Sequence, residues 1–202
     1  MSDPRFITFE GIDGSGKSTQ ARRFADHLQE KGHDVVLTRE PGGSSGAEEI
    51  RALLLTGDPD RWSAETEILL FTAARRDHLE KTIEPALANG KTVVSDRFAD
   101  STRVYQGATR GDLRGMVDRL HELMIGREPD LTFIIDMDPE TALKRGLARQ
   151  SGEDRFEDFG LSFQETLRHG FLALAKANPP RCVVIDGNRT EDQIASEIAA
   201  HL

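Results

Sequence analysis

The segment Phe9-Glu10-Gly11-Ile12-Asp13-Gly14-Ser15-Gly16-Lys17-Ser18-Thr19 constrains this chain more than any other. From Gly11 to Ser18 it carries the spacing G-x-x-x-x-G-K-S/T. The apolar run Phe6–Glu10 before it reads as a strand. After it, Ala21, Phe24, Ala25 and Leu28 recur at helical spacing over Lys17–Lys31, and Gly32 suits the stop. A glycine loop between a strand and a helix is a phosphate cradle: the backbone wraps a polyphosphate closely and the helix N-terminus favours the anion. Gly11, Ile12, Asp13, Gly14, Ser15, Gly16, Lys17, Ser18 and Thr19 are therefore expected to hold a nucleoside triphosphate. Lys17 would reach its β- and γ-phosphates and Ser18 would hold Mg²⁺. Asp13 is less routine, because a carboxylate inside an anion cradle repels phosphate. It is expected to face Mg²⁺ or a hydroxyl of a second substrate, unless it points out of the loop.

Four more runs read as strands: Asp34–Thr38, Thr92–Asp96, Leu131–Asp136 and Cys182–Asp186. Each is nearly continuous in apolar character, the mark of strands buried on both faces of a parallel sheet. Helical periods lie between them. Leu113, Met116, Val117, Leu120, Leu123 and Met124 make an apolar stripe on a helix over 112–125, and a further helix starts near Ser63. Asp138-Pro139 supplies a cap followed by proline at the first helical position, and Thr190-x-x-Gln193 reads as a capping box. Alternating strands and helices imply an α/β fold with helices on both faces of a parallel sheet and ligands at the carboxyl ends of the strands. A length of 202 residues suits one domain.

Composition narrows the function classes. A net charge of -9 argues against a broad nucleic-acid or anionic-membrane surface. No run of 18 uncharged apolar residues spans a membrane, and the start of the chain lacks a secretory pattern. Cys182 has no partner cysteine, so the chain is expected in the cytoplasm. Among the 26 cations, 20 are Arg. Arg suits bidentate phosphate recognition, but genome composition produces the same skew, so position must decide which arginines matter.

Several fall where strands end. Val93-Val94-Ser95-Asp96-Arg97-Phe98 closes a buried strand with an acid expected to organise Mg²⁺ through water, then a cation suited to a second, acceptor phosphate. Thr38-Arg39-Glu40-Pro41-Gly42-Gly43 ends the second strand in a tight polar loop. Phe71 and Arg75 lie four apart and share a helix face, which offers a stacking ring beside a planar fork; read alone, a phenylalanine there suits the core and an arginine suits solvent. Ser101, Thr102, Tyr105 and Gln106 add hydroxyls and an amide, while His78 reads as a structural histidine. The segment 145–157, with Arg145, Arg149 and Arg155, two glycines and few apolar anchors, reads as a lid whose arginines neutralise a transferring phosphoryl group.

Taken together, FEGIDGSGKST (9–19), TREPGG (38–43), LLFTAARRDH (69–78), SDRF and STRVYQG (95–107), PDLTFIIDMDPETALKR (129–145) and DRFE (154–157) resemble the bacterial thymidylate kinase family over nearly the whole chain. The resemblance implies a three-layer P-loop nucleoside-monophosphate kinase domain over 1–202, with a five-stranded parallel sheet and a short arginine-containing lid. It implies a phosphotransferase that uses ATP and Mg²⁺ to convert dTMP to dTDP in dTTP biosynthesis, acting as a homodimer. By the same resemblance, dTMP meets Asp13, Glu40, Pro41, Phe71, Arg75, Arg97, Ser101, Thr102, Tyr105 and Gln106, with Ser18 and Asp96 toward the metal. The catalytic set is then Lys17, Asp13, Arg97 and Arg149. Gly14 stands where another subtype carries a P-loop arginine, which is why the lid, and Arg149 first, is expected to supply that cation. Asn188 and Arg189 are candidates for the adenine. A different small P-loop kinase, acting on a nucleoside or another monophosphate, is the competing enzyme reading. A GTP switch is disfavoured because N/T-K-x-D is missing from the sequence.

Overall fold

The computed structural model describes residues 5–57, 61–109, 113–148 and 160–201. Its strands are β1 (Phe6–Glu10), β2 (Val35–Arg39), β3 (Thr92–Asp96), β4 (Leu131–Asp136) and β5 (Cys182–Asp186), all parallel and ordered β2-β3-β1-β4-β5. The helices are α1 (Lys17–Glu30), α2 (Ser45–Leu55), α3 (Ala64–His78), α4 (Glu84–Ala88), α5 (Ala99–Thr109), α6 (Arg114–Met124), α7 (Pro139–Leu147), α8 (Gly160–Ala177) and α9 (Glu191–Ala199). A π-helical turn over Leu79–Ile83 joins α3 to α4.

Strand alternation sorts the core into two faces. Ile7 and Phe9 of β1, Val94 of β3, Phe133 and Ile135 of β4 and Ile185 of β5 pack against Phe24 and Leu28 of α1 and Ile194 and Ile198 of α9. On the other face, Phe6 and Val93 meet Leu79, Ile83, Leu87 and Phe98, and Ile134 meets Val104 of α5 and Leu167 and Phe171 of α8. The rings of Phe9, Phe24 and Phe133 sit 5.3–5.7 Å apart in a mutual cluster, and each such buried side chain contributes roughly 1.5–3 kcal/mol. Asp138 caps α7 by accepting the Thr141 amide, and Thr190 closes the expected capping box on α9.

Two expectations shift. The second strand is displaced one residue from Asp34–Thr38, because Arg39 still pairs in register with Asp96 while Asp34 precedes the ladder, its carbonyl accepting the Thr92 amide. Residues 145–147, which the expected lid segment 145–157 included, complete the last turn of α7, where Ala, Leu, Lys and Arg sustain the helix. Arg149 and Arg155 lie outside the described residues.

Beneath the second face runs a buried polar spine. Thr8 and Thr132 share a hydroxyl contact at 2.8 Å, and Arg181 donates to Thr132 at 3.1 Å and to Asp100 at 2.6 and 2.9 Å. Asp100, 1% exposed, also accepts from Arg103, which reaches Asp118 and Glu128. Helix α5 is therefore seated on ion pairs as well as on the apolar contacts of Ala99, Val104 and Tyr105.

Candidate active site

The carboxyl ends of β1, β2 and β3 open into one cleft of about 250 Å³. Between β1 and α1 the glycine loop packs so tightly that a Cβ on Gly14 (φ +81°) would lie 1.9 Å from the Ala142 carbonyl oxygen of α7. Gly16, at φ 92°, caps α1 in the left-handed region open to glycine. Ile12 and Gly14 are buried in the loop's underside, and Thr19 is half-buried one turn into the helix. Lys17 is buried, and its Nζ donates to the Ile12 carbonyl and the Asp13 carboxylate, each at 3.3 Å. Burial and the neighbouring Arg97 lower its pKa, against the pull of Asp13 and Asp96.

Asp13 does not point away. It accepts from Arg97 Nη2 on one oxygen and from the Tyr105 hydroxyl at 2.8 Å on the other. Desolvation raises its pKa, but Arg97 and Lys17 outweigh that and hold the carboxyl well below the usual carboxylate range. Arg97 follows β3 at φ 72°, a conformation that side chains other than glycine rarely adopt. Its Nη1 donates to the Ser101 hydroxyl at 2.7 Å and the Gly11 carbonyl at 3.3 Å, and its guanidinium lies 5.0 Å over the Tyr105 ring. Desolvation works against its charge. The Tyr105 oxygen and the carboxylates of Asp13, Glu10 and Asp96 reverse that and raise its pKa.

The far wall comes from the β2 loop, α3 and α5. Glu40, after which the bond to Pro41 is cis, accepts from Arg75 Nε at 2.8 Å and meets His78 Nδ1 at 3.0 Å. His78 is fully buried and contacts Thr38 Oγ1 through its other nitrogen at 2.7 Å, so it is structural, as expected. Arg75, 4% exposed, also donates to Thr102 Oγ1 at 3.0 Å and lies 5.1 Å over Phe98. Phe71 is half-buried on the same helix face, and Gln106 donates to Glu67 at 3.5 Å.

All ten residues expected at the acceptor line this one cleft, together with Lys17, Ser18 and Asp96. Sequence reasoning missed Arg51, Leu55 and Phe98, which line it too. Phe98 lay inside the quoted SDRF block; Arg51 and Leu55 stand four apart on α2, a spacing that marks a shared helix face and nothing more. Asn188 and Arg189 are engaged at home, with Asp138, Asp186 and Glu197. Arg145 approaches Met137 Sδ at 3.5 Å.

Among the described residues, the Asp96 carboxylate has one buried oxygen, Oδ1, without a hydrogen-bond partner. An orphaned carboxylate oxygen and a serine hydroxyl, Ser18, lining one cleft are oxygen ligands of the kind a hydrated Mg²⁺ takes, with waters and substrate phosphates completing the set. The residues present fit that ion.

The family model for thymidylate kinase matches residues 9–198. The chain is 74% identical to the thymidylate kinase of Dinoroseobacter shibae, with 100% of this chain and 98% of that one covered. It is 52% identical to the thymidylate kinase of Caulobacter vibrioides, over 98% and 96% of the two chains. It is also similar to the crystal structure of thymidylate kinase from Ehrlichia chaffeensis, with a TM-score of 0.80, 39% identity and 99% of each chain covered.

Proposed function

The chain belongs to the thymidylate kinase family, and on that premise we propose how its cleft carries the family's reaction. It phosphorylates dTMP to dTDP with ATP as donor. The observation that carries the residue assignment is the junction of Lys17, Asp13, Arg97 and Tyr105, which ties a donor wall to an acceptor wall within hydrogen-bond distance.

On the donor side, Gly11 through Thr19 wrap the ATP phosphates and Lys17 leaves its present acceptors for the β- and γ-oxygens. Ser18, with Asp96 through water, would hold Mg²⁺, which when bound would supply charge neutralisation to those oxygens. On the acceptor side, Phe71 stacks on thymine, Arg75 reads its edge, and Thr102, Gln106, Glu40 and Pro41 complete that wall. Arg97, with Ser101, clamps the dTMP phosphate, while Asp13 and Tyr105 meet the deoxyribose. The acceptor is already an anion, so alignment and charge neutralisation dominate and no strong base is needed. Transfer is in line, with Arg149 of the lid supplying a further cation and excluding water.

We assign the whole of 1–202 to one cytoplasmic domain acting as a homodimer. Support for the pairing is the apolar surface where α3 and α6 meet. Leu69 is 51% exposed and Leu123 78%, and Arg76 donates to the Met124 carbonyl at 2.7 Å, joining the two helices there. The stripe read on α6 is thus only partly core.

The test is Arg97→Ala in a coupled assay. The expected result is at least about 100-fold lower kcat/KM for dTMP with the fold intact. Wild-type turnover would remove Arg97 from the acceptor clamp, and a faster rate with thymidine than with dTMP would overturn the acceptor assignment.

A further inference from the structure

One functional group at this site has no role in the reading above. Glu10 ends β1 fully buried, under the acceptor wall. Its Oε1 accepts the amides of Phe98 at 2.8 Å and Ser101 at 3.2 Å, and its Oε2 accepts the Ser101 hydroxyl at 2.6 Å. A serine hydroxyl has one proton. With that proton committed to Glu10, Ser101 Oγ can only accept from Arg97 Nη1, at 2.7 Å. The chain from guanidinium to hydroxyl to carboxylate therefore has one direction.

The same carboxylate also holds the backbone. Arg97 is the described non-glycine residue with positive φ, at 72°. Its amide is tied to the Phe9 carbonyl at 2.9 Å and its carbonyl to the Ser95 hydroxyl at 2.8 Å, and the next amide, Phe98, is the one Glu10 accepts. Glu10 thus fixes both the strained turn and the side chain it presents. An apolar residue would fill this interior position at lower desolvation cost, so the carboxylate's contribution lies in the turn above it.

We propose that Glu10 is the positioning residue for Arg97, a buried carboxylate that sets the guanidinium's place through the Ser101 hydroxyl and the Phe98 amide without touching substrate. The proposal rests on Arg97 being the acceptor clamp. Desolvation and the nearby Asp100 push Glu10 up to about 7 against the pull of Arg97, which fits a carboxylate kept in a costly place.

The experiment measures KM for dTMP and for ATP, with kcat, for Glu10→Gln, Ser101→Ala, their double variant and Arg97→Ala. Thermal melts confirm that each is folded. A glutamine amide donates where the carboxylate accepted, so Ser101 loses its acceptor. The expected result for Glu10→Gln is an about tenfold higher KM for dTMP, with KM for ATP within about twofold of wild type. The double variant should match the larger single effect, because both substitutions cut one chain. A folded Glu10→Gln enzyme with unchanged dTMP KM overturns the proposal. So does a parallel rise of both KM values, or a double variant whose effects multiply, since a general loss of structure produces those. If Arg97→Ala raises the dTMP KM and Glu10→Gln does not, the proposal alone fails; if neither does, the clamp reading has failed first. Should Glu10→Gln not fold, Glu10→Asp keeps the charge but withdraws it, and the same split between the two KM values decides.

Discussion

Replacing Arg75 with Met removes one partner of an ion pair that water barely reaches. Arg75 and Glu40 side chains are each 4% exposed and meet at 2.8 Å. Met fills much of the aliphatic volume, so cavity formation is a small part of the effect. The large part is Glu40, left as a buried carboxylate whose remaining partner among the described residues is His78 Nδ1 at 3.0 Å. Breaking a buried pair from one side costs about 3–5 kcal/mol. In a chain of this size each kcal/mol moves the midpoint by roughly 2–4 °C, so the melt should fall by about 6–20 °C. Adding Glu40→Gln removes the stranded charge, and the double variant should recover about half of the loss. The assay is thermal and urea unfolding of the four proteins at one protein concentration, because self-association makes a midpoint depend on concentration. An Arg75→Met loss below about 1 kcal/mol, with no recovery in the double variant, would refute the argument that this wall is held by the pair.

Two further outcomes follow from the same geometry. Gly14→Ala drives a methyl into the Ala142 backbone at a residue with φ +81°; the loop must shift, and ATP should lose its ability to raise the melting temperature, a loss that equal protection of variant and wild type would disprove. Glu10 carries a pH signature: its folded pKa of about 7 lies above the ordinary 4.5, so the folded state binds the proton more tightly. The stability difference between wild type and Glu10→Gln should therefore move against wild type as pH rises from about 4.5 to 7. Arg97 and Ser101 face this carboxyl from the turn and α5, Asp100 from α5, and Cys182 from β5. Urea titrations across that range check it, and a flat difference would exclude Glu10 as the source.

The parts of the fold written in consecutive residues were legible. The glycine loop declares itself because its backbone demands fall on adjacent positions, and strands buried on both faces read as apolar runs. Helix α5 was harder, since its inner side carries Asp100, Thr102, Arg103 and Gln106, which burial periodicity treats as surface. The stripe on α6 was read correctly as apolar, but periodicity cannot say what covers it, and Leu123 is largely exposed. At the site, Asp13, Arg97 and Tyr105 come from three separate stretches. Residue chemistry alone proposed an acceptor cation, and resemblance was needed to bring the three together. Glu10 stayed hidden because a carboxylate at a strand end looks like an ordinary boundary; only the tertiary placement of Phe98 and Ser101 over it gives it work.

The ion-paired seating of α5 bears on when the enzyme loses its orientational entropy. Thr8, Thr132, Arg181 and Asp100 fasten the base of this helix to the centre of the sheet before any nucleotide arrives. The surface proposed to receive dTMP then takes its shape once, when the chain folds, and not again in each turnover. Binding energy gained on the monophosphate is left for bringing two anions together. By this logic, loosening the spine beneath α5 would slow transfer more than it would weaken the grip on either nucleotide alone.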